Sequence, residues 1–244
     1  MKKTKYHKFW PKLLQNLIWL FVRVALWFFA DFKVFGLENL KKIPAKTGVI
    51  FASNHTSVLD PILIPAALPF MSRFLPTYNI IRFGRKPYKN KFINFLLATL
   101  KPFIKMWGAY PAPTIIHKSA DSYFHSLRFH LKILTDKKSL IVFPMGGIEK
   151  SKKERPGTGI AFLINQIASS RVIPIFISFA PKTKKLDFKK FFLRKYKIKI
   201  FFGEQINYRN IFENIILETS VIDLYTAGTK NILEKLKKVK DSFI

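Results

Sequence analysis

The sequence predicts an α/β protein: a single domain with a mostly parallel or mixed sheet flanked by helices, plus an N-terminal membrane-associated helix. Three observations carry this. Short apolar runs of strand length recur from Gly48 onward, and stretches with helical spacing separate them. A chain of 244 residues suits one large domain or one domain with a short extension. A basic, then apolar, segment precedes the first strand-like run. We therefore divide the chain at residues 1–33 and 34–244.

The elements follow in order. Lys2, Lys3, Lys5, Lys8 and Lys12 lead into LIWLFVRVALWFFA, Leu17 to Ala30, broken only by Arg23. As a helix this run would reach roughly 21 Å, short of the ~30 Å hydrocarbon core. A helix lying in one leaflet, with Trp10, Trp19 and Trp27 near the headgroups, fits better than a clean span. A helix packed on a soluble domain is the other reading. WFFADF is a poor signal-peptidase site, which argues against a secretory leader. The basic flank favours the cytoplasmic leaflet and an anionic membrane surface.

GVIFAS (Gly48–Ser53) reads as a buried strand, and Pro61 to Leu68 as a helix opened by proline. Asn90–Leu100 and Ser119–Leu134 have helical spacing. SLIVFP (Ser139–Pro144) is a second buried strand, Gly159–Ala168 a helix, and VIPIFISF (Val172–Phe179) a third strand. KYKIKIFFG (Lys195–Gly203) alternates Lys with apolar residues, as a strand with one wet face does. Helices near Ile211–Tyr225 and Thr229–Val239 close the chain.

Composition limits the chemistry. There are 43 Lys and Arg against 14 Asp and Glu, a formal net charge of +29, with 26 Phe and no Cys. This apolar content excludes a disordered chain. The lack of Cys excludes disulfides, a thiol nucleophile and Cys-ligated zinc. A positive surface attracts nucleic acid or anionic membranes, although AT-rich coding also favours Lys and Phe. Lys182–Lys199 interleaves bases with Phe188, Phe191, Phe192 and Tyr196. This is compatible with nucleic acid, a bilayer surface or a solvated hairpin.

The sharpest local feature is Asn54-His55-Thr56-Ser57-Val58-Leu59-Asp60, directly after the first buried strand. Ligands of open α/β sheets bind beyond the carboxyl ends of strands. Pro61 disfavours helical backbone at Asp60, so residues 55–59 read as a loop that can bring the carboxylate back to the imidazole. Asp60 also suits a helix N-cap. A histidine beside a carboxylate is a general base near neutral pH, and no G-x-S-x-G elbow offers a serine nucleophile. After the second strand comes Phe143-Pro144-Met145-Gly146-Gly147-Ile148-Glu149-Lys150-Ser151. Adjacent glycines at a strand end admit an anion to backbone N–H groups, and Lys150 and Arg155 add charge.

These blocks resemble the glycerolipid acyltransferase family, whose typical member is 1-acyl-glycerol-3-phosphate acyltransferase. NHTSVLD looks like its N-H-x4-D block, FPMGGIEKS sits at its F-P-E-G-T-R-S block, and Val172–Ile175 matches its proline-bearing strand. Gly108-Ala109-Tyr110-Pro111 falls at its second block, and the order agrees from about residue 34 to 203. The resemblance implies that His55 takes the proton of the acceptor hydroxyl and that Asp60 orients it. The hydroxyl would attack the thioester of acyl-CoA or acyl carrier protein, a co-substrate, with no cofactor and no metal. Asn54, Ser57, Gly146, Gly147, Lys150, Arg155 and Arg85 are the expected substrate contacts. A lysophospholipid such as lysophosphatidic acid is the expected acceptor, in phospholipid biosynthesis, with no nucleic-acid partner. Three departures bear on the acceptor: Met145 replaces the block's Glu, Ile148 its Arg, and Thr114 the Arg of the second block.

Overall fold

Val49–Ser53 contains no charged residue and all five of its residues are buried. Such a strand belongs in the middle of a parallel sheet covered on both faces, and that is where it lies. The computed structural model describes residues 5–57, 59–81, 102–111, 120–146, 157–180, 193, 196–213, 215 and 220–242. Among these run α1 (Phe9–Phe29), β1 (Ala30–Phe35), α2 (Glu38–Lys41), β2 (Val49–Ser53), α3 (Asp60–Ala67), β3 (Thr77–Ile81) and β4 (Ala109–Pro111). Then come α4 (Ala120–Thr135), β5 (Ser139–Val142), α5 (Gly159–Gln166), β6 (Arg171–Ala180), β7 (Tyr196–Phe202), α6 (Tyr208–Phe212) and α7 (Val221–Asp241).

The seven strands form one mixed sheet in the order β1-β7-β6-β2-β5-β3-β4. β6, β2, β5, β3 and β4 are mutually parallel, while β7 runs antiparallel to β6 and carries β1 parallel to itself. The expected strands thus appear, joined by β1, β3 and β4, which the apolar runs did not announce. Alternate residues point to opposite faces. Phe51, Ile141, Ile173 and Ile177 pack with Leu26 of α1, Leu40 of α2 and Leu63 of α3. Ile50, Leu140 and Val172 pack with Leu134 of α4, Phe162 of α5, Ile211 of α6 and Ile232 of α7. Each fully buried Ile, Leu or Phe in these layers contributes about 1.5–3 kcal/mol.

Two expectations at the chain ends change. The closing helices expected at Ile211–Tyr225 and Thr229–Val239 are instead a short α6 and a 21-residue α7 that continues through Gly228. Gly228 lies in the contact with α6 and α5: a Cβ there would stand 2.8 Å from Phe212 and 3.2 Å from Ala161. It permits close packing and does not end the helix. At the other end, α1 begins at Phe9 and reaches ~31 Å, long and apolar enough to cross a membrane by length and composition.

Its polar residues explain how it is held. Gln15 Nε2 donates to the carbonyls of Thr77 and Trp107, and Gln15 Oε1 accepts from Thr77 N. The Trp19 indole donates to Leu68 O, and Arg23 to Ala66 O, at the end of α3. Pro11, Gln15 and Leu26 are buried along this side. Trp10, Leu13, Leu17, Leu20, Phe21, Val24, Trp27 and Phe28 are all exposed, at helical spacing on the other side. The helix is therefore two-sided, docked along its length on one side and apolar toward the outside on the other.

Candidate active site

β2 ends at Ser53, and the next four residues turn back before α3. The turn is set by one carboxylate. Asp60, with no solvent exposure, accepts from Thr56 N at 2.6 Å, Ser57 N at 2.9 Å, Thr56 Oγ1 at 3.1 Å and His55 Nδ1 at 2.8 Å. A buried carboxylate without such partners would be very costly, so these donors are what allow it there. Asp60 is the first residue of α3, with Pro61 next, and Leu59 occupies the N-cap position. The helix thus starts one residue earlier than proline alone suggests, and Asp60 caps the preceding loop instead of the helix.

Two further contacts fix the loop. The Asn54 amide donates to Ile177 O at 2.9 Å and accepts from Ile177 N at 2.7 Å, pinning the loop to β6. Ser57 Oγ accepts from Leu59 N at 3.2 Å. Both side chains expected to contact substrate are committed to the main chain. With Nδ1–H given to Asp60, the His55 ring keeps its Nε2 lone pair free. The side chain is 16% exposed, enough for a ligand to reach it.

β5 runs beside β2, so its C-terminal end arrives next to this loop. The Phe143 ring stacks on the His55 ring at 4.1 Å and 15°. After it the chain makes a tight turn: Gly146 N donates to Phe143 O at 2.9 Å, with Gly146 at φ +80°, a conformation that glycine adopts without penalty. Gly146 shapes the turn, and its own N–H is spent on it. Met145, at the place of the acidic residue in the resembling block, is 39% exposed.

The structure thus brings together Asn54, His55, Ser57, Asp60 and Gly146. Arg85, Gly147, Lys150 and Arg155 lie outside the described residues, as do Arg82, Thr114, Ile148, the Asn90–Leu100 segment and most of the Lys182–Lys199 stretch. Phe143 and the Ile177 main chain are participants that spacing did not reveal. The Phe143-Pro144 pair was visible as part of a block, but its face against the imidazole is a tertiary contact.

The family model described as Acyltransferase matches residues 32–178. Among solved structures, the chain is similar to PlsC, the 1-acyl-sn-glycerophosphate (LPA) acyltransferase of Thermotoga maritima. That match has a TM-score of 0.55 at 19% identity and covers 95% of this chain and 80% of that one. Comparison with curated proteins gave no match. The family match spans more than half of the chain and contains the whole His55–Asp60 loop and the turn at Gly146, so the chain belongs to the acyltransferase family.

Proposed function

We propose that the protein transfers a fatty acyl group from acyl-CoA or acyl carrier protein to the free hydroxyl of a lysophospholipid such as 1-acyl-glycerol-3-phosphate, within phospholipid biosynthesis. The observation that carries this is the His55 ring, with Nδ1 held by Asp60 and Nε2 open at the strand end. Nε2 takes the hydroxyl proton as the oxygen attacks the thioester carbonyl. The C–S bond then breaks, the acyl ester forms, and the imidazolium returns the proton to the leaving thiolate. Asp60 holds the ring in the tautomer this needs and faces the transient positive charge. Asn54 and Ser57 position the loop. The turn at Gly146, with Gly147, Lys150, Arg155 and Arg85, supplies the side for the acceptor phosphate. The exposed apolar side of α1 lies in the cytoplasmic leaflet, where the lipid acceptor is.

Met145 favours a second reading of the acceptor. An exposed thioether stands where the resembling block has a carboxylate, so a different lipid acceptor, or anionic-lipid binding without turnover, would fit the same frame. The deciding experiment is thiol release from acyl-CoA and acyl carrier protein over a panel of lysolipids. The protein has no Cys of its own to contribute thiol. Lysophosphatidic acid should be acylated, and His55→Ala should lower turnover by about 10²–10⁴-fold. Equal thiol release by the variant would remove His55 as the base, and binding without turnover would select the second reading.

A further inference from the structure

A second charged site lies at the other, N-terminal, end of the central strands. Val49, Ser139 and Thr77 are aligned across β2, β5 and β3. The loops entering these three strands enclose a pocket lined by Lys46, Thr47, Arg73, Phe74, Lys137 and Ser139. It is roughly one strand length, about 17 Å, from the His55 loop. Arg73 donates to the carbonyls of Ile43 at 2.6 Å and Pro44 at 3.0 Å, clipping two of the loops together. None of the three cations forms an ion pair among the described residues. Asp136, next to Lys137 in sequence, is already held by Lys8, Lys132 and Tyr6.

We infer that this pocket binds the phosphate of an anionic phospholipid headgroup. Three cations with no ion pair among the described residues, around a concavity with two hydroxyl side chains, suit a phosphate group. The lipid source is indicated by what adjoins it. Phe70 and Met71, three and two residues before Arg73, are 51% and 72% exposed, and Phe70 packs on Trp19 of α1 at 5.1 Å. The apolar tip thus extends the exposed apolar side of α1 toward the pocket. Insertion of Phe70 and Met71 into a leaflet would bring headgroups to Lys46, Arg73 and Lys137. The pocket would hold α1 at the bilayer, independently of acyl transfer at the other end of the strands.

The test is vesicle sedimentation with phosphatidylcholine alone and with added phosphatidylglycerol. The variants are Lys46→Ala/Lys137→Ala and, as a charge-matched control, Lys237→Ala/Lys238→Ala on the exposed side of α7. The pocket variant should lose about tenfold or more of its affinity for phosphatidylglycerol vesicles. Binding to phosphatidylcholine and turnover on detergent-dispersed substrate should stay unchanged. The control should change less than about twofold. An equal loss in both variants would overturn the site in favour of diffuse charge. Inorganic phosphate that raises the Tm of the wild type but not of the pocket variant, with vesicle binding equal in both, would overturn the lipid source in favour of a soluble phosphate. Lys46→Glu/Lys137→Glu should repel anionic vesicles further, and unchanged affinity would also overturn the proposal.

Discussion

Two histidines of this chain occupy opposite environments. His55 sits on a strand-end loop with one nitrogen on a buried carboxylate, one nitrogen open and an aromatic ring against its face. His130 lies on α4 with no solvent exposure and, among the described residues, no hydrogen-bond partner at either ring nitrogen. Desolvation by burial pushes its pKa down to about 4; the nearby Tyr110 main chain opposes this slightly without reaching hydrogen-bond geometry to the ring. Burial alone therefore yields a neutral filler. What makes a base is a committed partner on one side and access on the other.

The largest effect that could break this comparison is at Asp60. In Asp60→Asn an amide oxygen at the Oδ2 position still accepts from Thr56 N, Ser57 N and His55 Nδ1, and the amide NH₂ takes the Oδ1 position against the Thr56 hydroxyl that donated there. The Nδ1 proton keeps its acceptor, but the negative charge that faces the imidazolium as it forms is lost. Turnover should fall by about 10²–10⁴-fold, while the buried mismatch lowers stability by about 1–3 kcal/mol. Initial rates of thiol release and a urea midpoint measure the two separately. A variant with near-normal turnover would show that His55 needs no charged partner.

His130 should answer in stability and not in turnover. Its folded pKa is lowered, so the folded state resists protonation that the unfolded chain accepts. Its contribution is complete above the unfolded pKa of about 6.5 and is lost as pH falls toward about 4. Across that window the linkage amounts to about 3 kcal/mol at most. His130→Leu should flatten the acid side of the urea-midpoint profile between these pH values and leave thiol release at pH 7 unchanged. An identical profile in both proteins would mean that the ring is protonated when folded. Asp136 provides a check at lower pH. Desolvation pulls its pKa up, but hydrogen bonds from Lys132, Lys8 and Tyr6 outweigh this and hold it well below the usual carboxylate range. The Asp136→Asn deficit, about 1 kcal/mol, should be full above about pH 4 and shrink as pH falls below it.

The same contrast explains what sequence reading could reach. The strands around the site were legible because Val49–Ser53, Ser139–Val142 and Arg171–Ala180 are continuous apolar runs, and His55 and Asp60 were legible because their link spans five residues. β1 was hidden because ADFKVF follows an apolar helix without a break, and only its pairing with β7 makes it a strand. β4 is three residues long. Gln15 and Arg23 read as interruptions of an apolar segment, yet they are the groups that dock α1 on the domain. The break expected between Tyr225 and Thr229 contains Gly228, which instead marks where Phe212 approaches a continuous helix. Each of these depends on a partner far away in the chain, and local patterning does not encode it.

Phe143 should give the smallest effect. Its ring covers one face of the imidazole, and the Asp60 bond fixes only the direction of Nδ1. Together they restrict both the tilt and the rotation of the ring. Phe143→Leu keeps the apolar cover but removes the flat face, a loss of about 0.5–1.5 kcal/mol. If that energy serves to orient the base, kcat should drop about 3–10-fold with KM nearly constant. Combining Phe143→Leu with Asp60→Asn then separates orientation from packing. Once the carboxylate charge is gone the imidazolium is no longer stabilised and the base is disabled, so the Phe143 effect on kcat should vanish in the double variant while its cost in stability persists. Full additivity in kcat would show that Phe143 acts on the substrate and not through His55.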